Sequence, residues 1–322
     1  MKKHIPALCL VLLLFSAAPA MAAYIDLGVA GEYNAFILGD FSSSSSDTQG
    51  RLAVGGNATM QWYTIGDTLA DGYSGYSLVV GGDLTYNGGD PSYNGGEVKH
   101  GDVAVGGSAA SSNFTLVDGT LSSGIDIDGI IDFEEQAAYL RALSVTLGGY
   151  EATGTDVLSG NVLTLTGDGT SLLQVFNLDG LELMGSTELS LDGVADGSTI
   201  LINVSGDVSG LVGIGMGDLT AYRENVLFNF YEADLLYLDS VGVQGSILAP
   251  FASVNGAYGE GSGWGSIDGT LIAESYYAHI EQHDVPFNST TPVPEPGTFV
   301  IMGLGLLALT LFMRRRGQRV QA

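Results

Sequence analysis

The chain has a single cysteine, Cys9, among 322 residues. It lies in an apolar N-terminal stretch, so the remainder of the chain has no thiol with which to form a disulfide. A protein held outside the cytoplasm without disulfides depends on packing, repetition or metal. Basic residues are nearly as scarce. Between Asp26 and Glu295 only Arg51, Lys99, Arg141 and Arg223 oppose all 36 acidic residues, a formal charge of −32 for that stretch against −26 for the whole chain. Such a charge repels nucleic acid and anionic lipid. Proline is also sparse, at 8 residues, and the 48 glycines follow no G-X-Y period, which excludes collagen.

The two ends read as targeting segments. Lys2 and Lys3 precede an apolar core from Ala7 to Phe15, and Ala20-Met21-Ala22 fits an A-x-A cleavage pattern. This predicts a secretory signal peptide over 1–22, with Ala20 and Ala22 flanking the cut. At the other end, residues 288–297 form a polar, proline-bearing linker. Residues 298–313 are an uncharged run expected to be a short transmembrane segment, and 314–322 a basic cytoplasmic tail containing Arg314, Arg315 and Arg316. The body, 23–287, is long enough for one large domain.

Within the body, three segments resemble one another: LAVGGNAT from Leu52, LVVGGDLT from Leu78 and VAVGGSAA from Val103. Their paired glycines are Gly55-Gly56, Gly81-Gly82 and Gly106-Gly107, recurring every 26 and 25 residues. Glycine suits such corners because it accepts positive φ and lets neighbouring backbone approach closely. Near-constant spacing marks a repeat architecture. Hairpins of an antiparallel sandwich would use the same residues, but the period fits one turn of a coil with three short strands. The expectation is an all-β fold, a right-handed β-solenoid or β-helix with one flanking or capping helix. Further strands are expected at Asn161–Thr166, Leu172–Leu178, Leu181–Leu191, Ser198–Val204, Asn225–Phe230, Val243–Val254 and Gly269–Ser275, separated by Asp-Gly breakers. The one helix is Asp132–Leu147. Phe133, Ala137, Leu140, Leu143 and Leu147 fall near one stripe, Asp132 can cap, and Glu134 and Glu135 occupy the first turn.

Two resemblances follow from these residues. Val293-Pro294-Glu295-Pro296, the apolar run and the terminal arginines resemble the PEP-CTERM sorting signal. The resemblance implies processing by an exosortase near Pro294, Glu295 and Pro296 in a Gram-negative, exopolysaccharide-making bacterium. It further implies a precursor held at the inner membrane and a product at the cell surface or in the extracellular matrix. The body resembles the choice-of-anchor A domain through Tyr33–Asp40, Gly50–Asn57, Leu78–Asp83, Gly245–Pro250, Gly269–Ala273 and Pro286-Phe287. That implies a single β-helical surface domain, one linked in some members with adhesins, and carries no catalytic residues.

Sites of chemistry are few. His279 and His283, four apart in HIEQH, lack the H-E-x-x-H order and a third ligand. Asp126, Asp128 and Asp132, with Asp83 and Asp90, suit calcium or simple turns equally, so no cofactor is expected and calcium stays open without an assignable site. No nucleophile elbow is present. Trp62, Tyr63, Tyr73, Tyr76, Tyr86, Tyr93, Tyr258 and Trp264 offer stacking surfaces for sugars or partners if exposed. The function expected is therefore that of an exported, non-catalytic adhesin or scaffold associated with exopolysaccharide, partnered by exosortase and by polysaccharide or other surface proteins. A carbohydrate-binding protein and a polysaccharide-active β-helix enzyme are the alternatives.

Overall fold

The computed structural model describes residues 24–88, 96–259 and 263–289. The signal-peptide residues Ala20 and Ala22, the residues Pro294, Glu295, Pro296, Arg314, Arg315 and Arg316, and the apolar run 298–313 lie outside the described residues. No helix among the described residues is long and apolar enough to cross a membrane. The expected transmembrane segment thus has no counterpart among the described residues.

Strands before the main helix are β1 (Ala35–Ile37), β2 (Phe41–Thr48), β3 (Leu52–Val54), β4 (Ala58–Ile65), β5 (Tyr76–Val80), β6 (Leu84–Asn87), β7 (Glu97–Val98), β8 (Asp102–Val105), β9 (Ala109–Ser112), β10 (Thr115–Leu116) and β11 (Leu121–Ser123). The helix α1 spans Phe133–Gly148. After it come β12 (Thr155–Ser159), β13 (Val162–Thr166), β14 (Leu173–Asp179), a short helix α2 (Gly180–Met184), β15 (Glu188–Asp192), β16 (Thr199–Ser205) and β17 (Val208–Val212). The last are β18 (Val226–Phe230), β19 (Leu235–Asp239), β20 (Val241–Gln244), β21 (Ser246–Asn255), β22 (Gly265–Asp268), β23 (Leu271–Tyr277) and β24 (Glu281–His283).

Ten of these strands pair in one unbroken parallel run, β14-β16-β18-β21-β23-β1-β3-β5-β8-β11. The fold is mostly β, with a near-closed ten-strand parallel barrel whose one unsealed seam lies between β14 and β11. This corrects the expected open right-handed β-solenoid. An array built in chain order would begin at β1, yet β1 sits mid-run, between β3 and β23. The chain builds outward from β1 to β11, leaves through α1, restarts at β14 on the far side of the seam and returns to β1. A local repeat of 25 or 26 residues reports which strands are neighbours but not where the series starts.

Both faces of the run are apolar, which is why its strands read as continuous hydrophobic stretches. Alternate residues separate into two cores. Ala35, Ile37, Leu52, Val54, Leu78, Val80, Ile200, Ile202 and Phe228 enter the larger one. Phe36, Ala53, Val79, Leu201, Leu227 and Leu248 face the other way and pack with Leu140, Leu143 and Leu147 of α1. The helix is capped as its sequence suggests, with the Asp132 carboxylate accepting from Glu135 N at 2.9 Å. Buried amides lock it to the sheet. Asn229 Nδ2 donates to Ser144 O (2.9 Å) and to Asn203 Oδ1 (2.8 Å), and Asn203 Nδ2 donates to Leu147 O (2.8 Å) and Asn177 Oδ1 (3.0 Å).

Two expected strands are divided: Val243–Val254 is split at Gly245 between β20 and β21, and Leu181–Leu191 changes type along its length. Leu181–Leu191 begins as α2, because Asp179 accepts from Leu181 N and Glu182 N and so caps a helical turn, and only its second part is β15. With β12 and β13, β15 makes a separate three-stranded sheet.

Candidate functional site

The chain must hide its apolar residues from water, and in this fold one side of each short strand does so while the other faces out. Along β2 and β4, Phe41, Ser43, Ala58 and Met60 point inward, and Ser42, Ser44, Thr59 and Gln61 point outward. Parallel pairing sets such residues side by side at about 4.8 Å. The register places Tyr237, Asn255, Tyr277, Ser42, Thr59, Thr85 and Ala110 in one continuous outward row across seven strands. Two residues along, Ser44, Gln61, Asn87 and Ser112 form a second row. No residue in either row is charged, on a body that carries 35 of the chain's 36 acids.

The edge of this face is held by a side-chain ladder immediately after the paired glycines. Asp40 Oδ1 accepts from Asn57 N (2.8 Å), Asn57 Oδ1 accepts from Asp83 N (2.9 Å), and Asp83 Oδ1 accepts from Ser108 N (2.7 Å) and Ser108 Oγ (2.9 Å). The Ser108 amide and hydroxyl hold the Asp83 carboxyl below the usual carboxylate range. The glycines are required here for space rather than for torsion. None of Gly55, Gly56, Gly81, Gly82, Gly106 and Gly107 has positive φ. A Cβ on Gly81 would come closer than 3.0 Å to the Gly55 carbonyl, and one on Gly106 equally close to that of Gly81. The bend into the next strand segment uses torsion instead: Ser45 and Trp62 take left-handed φ of 55° and 50°. The residue that follows each glycine pair was a functional element of the corner that the repeat alone did not single out, although Asn, Asp and Ser all bond locally to backbone.

Other residues singled out from sequence are dispersed. Tyr63 and Tyr86 are fully buried, while Trp62, Tyr258 and Trp264 are exposed. Asp126 accepts from Asp128 N and Asp132 caps α1, so these carboxylates serve backbone; Asp90 and Tyr93 lie outside the described residues. His279 Nδ1 meets Ser44 O at 2.8 Å and His283 Nδ1 meets Asp268 Oδ1 at 2.6 Å, two separate settings. Among the described residues no group of three or more His, Cys, Asp or Glu could hold a metal ion.

The body is mostly β and presents an uncharged outward face. The chain belongs to the family described as Putative Ice-binding-like adhesive domain, whose model matches residues 26–284. This match corrects the resemblance to the choice-of-anchor A domain. Residues 292–316 match the PEP-CTERM protein-sorting motif, consistent with an exported, surface-destined protein that enters the exosortase pathway. Among solved structures, the chain is similar to an ice-binding protein from the Antarctic ascomycete Antarctomyces psychrotrophicus, at 15% identity and a TM-score of 0.34, covering 83% of this chain and 100% of that one. It is also similar to an ice-binding protein from an Antarctic biological consortium, at 11% identity and a TM-score of 0.32, covering 80% and 91% respectively. No curated protein matches.

Proposed function

We propose that this protein is an exported adhesin or scaffold that holds neutral, hydroxyl-rich polymer through its uncharged face. The supporting observation is the pair of outward rows from Tyr237 to Ala110 and from Ser44 to Ser112, free of charge on a strongly acidic body. Acids elsewhere keep the protein soluble and repel anionic partners. A face of hydroxyls, amides and tyrosine rings gives hydrogen bonds and stacking to an uncharged partner without the cost of desolvating a carboxylate. The match at 292–316 supports maturation by a cognate exosortase. In this reading the cuts fall at Ala20–Ala22 and near Pro294, Glu295 and Pro296, with Arg314, Arg315 and Arg316 removed.

The secreted protein should sediment with the producer's purified exopolysaccharide. Thr59→Glu/Thr85→Glu, which places two carboxylates in the row, should weaken that binding at least about tenfold with the melting temperature unchanged. Binding that survives the double substitution defeats the assignment of this face. A second reading is ice binding, favoured by the family description and by the regular spacing of the row. Inhibition of ice recrystallisation by the wild-type protein, abolished by the same double substitution, would select it.

A further inference from the structure

The strands β20, β22 and β24 lie on a different part of the surface from the uncharged rows, and they carry an open cleft of about 490 Å³. Its lining includes Ser240, Gly242, Trp264, Ser266, Glu281 and His283. Register places Gly242, Ser266 and Glu281 side by side on adjacent strands. Gly242 is the hollow of this row: a Cβ there would meet only Ser266 Oγ, at 3.6 Å, and its φ lies outside the left-handed region. The position therefore tolerates a side chain and has none.

Trp264 stands over the cleft with 54% of its surface exposed. Described residues near it in the chain are held by hydrogen bonds. The Asp239 carboxylate, 1% exposed, accepts from Tyr258 N and Gly263 N, both at 3.0 Å, and from Ser240 Oγ at 2.9 Å, and Ser240 N donates to Trp264 O at 2.7 Å. Ser240 itself is held at a left-handed φ of 55°.

Beside it, β22 and β24 carry a chain of charged contacts. Arg223 pairs with Asp268 Oδ2 at 3.1 Å, Asp268 Oδ1 meets His283 Nδ1 at 2.6 Å, and His283 Nε2 stands 3.6 Å from Glu281 Oε2. The His283 ring lies between the carboxylates of Asp268 and Glu281. The cleft thus offers one aromatic surface, the Glu281 carboxylate, the His283 ring and the hydroxyls of Ser240 and Ser266.

We propose that this cleft is a saccharide-binding site for a neutral sugar unit, stacked on Trp264 and hydrogen-bonded through its hydroxyls to Glu281, His283, Ser240 and Ser266. Sugar C–H faces match an indole surface, and sugar hydroxyls donate to a carboxylate. A uronic acid would set its carboxylate against Glu281 and the acidic body, and is excluded. The site is independent of the uncharged face, so either can fail alone.

Trp62 and Trp264 are the only tryptophans, so Trp62→Phe leaves Trp264 as the sole reporter. In that background, titration with maltotetraose, cellotetraose and mannotetraose should give a saturable emission shift with at least one of them. A galacturonate tetramer should give none. Calorimetry should show at least tenfold weaker binding for Gly242→Val, which fills the hollow, and for Glu281→Gln, each with an unchanged melting temperature. The proposal is overturned if none of the three neutral oligomers shifts the emission, if galacturonate binds as well, or if Gly242→Val binds normally.

Discussion

At the scale of single residues, the paired glycines do the least conspicuous and most restrictive work. Their positions were evident from the repeat, but the reason was not. A repeat cannot distinguish a glycine needed for positive φ from one needed for closeness, because both appear as Gly. Gly55, Gly81 and Gly106 are stacked so that each lacks a side chain where its neighbour's carbonyl lies. Gly81→Ala should therefore destabilise the protein by about 1–3 kcal/mol through overpacking, since the obstacle is backbone. Gly129 is a control: nothing lies within 4 Å of an added Cβ and its φ is ordinary. Gly129→Ala should be neutral or stabilising by up to about 1 kcal/mol. Urea denaturation of both variants checks the pair, and equal stabilities would remove closeness as the explanation.

At the scale of elements, α1 is the piece that lets one chain build the strand run from two directions. Its ends and apolar stripe were legible, because capping and helical periodicity are local properties. Its docking was not, although a signal existed. Asn177, Asn203 and Asn229 recur every 26 residues and form the ladder on which the helix rests. Ser144 Oγ also donates to Asn229 Oδ1 at 2.6 Å, fully buried. Asn229→Ala leaves Ser144 and Asn203 without these partners inside the protein, and should cost about 1–3 kcal/mol. Hydrogen exchange should show faster exchange across Phe133–Gly148 in that variant, with protection of β3 and β5 retained. Unchanged exchange in the helix would mean that apolar contacts alone hold it.

For the whole molecule, the controlling property is its acidity. Arg51 pairs with Glu32 and Arg141 with Glu274, so most acids have no basic partner to offset them. Raising ionic strength from about 0.01 to 0.1 M shortens the screening length from about 30 to 10 Å, and the melting temperature should rise over that range. Several carboxyls pull the other way as pH falls. Asp168 is held below the ordinary 3.8 by Ser171 and Gln174, Asp118 by His100 and Gly72 N, and Asp83 by Ser108. A folded value below the unfolded one means that the added stability is complete above pH 3.8 and is lost as pH falls through the folded values. Asp47, raised by burial and by Glu281, has the opposite sign and gains stability on protonation. The melting temperature should therefore hold to about pH 4 and fall below it, and Asp168→Asn should shallow that fall. A pH series of thermal melts checks both.

Export, acidity, absence of disulfides, β character, the helix and the glycine corners were all determined by the sequence, because each is a property of composition or of residues near one another in the chain. The tertiary structure decided the order of the strands and what that order creates. The uncharged row joins Ser42 to Tyr277 and Thr59 to Thr85, and the cleft joins Gly242 to Glu281. Parallel pairing makes all of these neighbours, and the step from Ser42 to Tyr277 crosses the point where the returning chain meets its own beginning. A period measured along the chain reports the step between strands, but only the closed packing of two apolar cores reports which steps lie side by side.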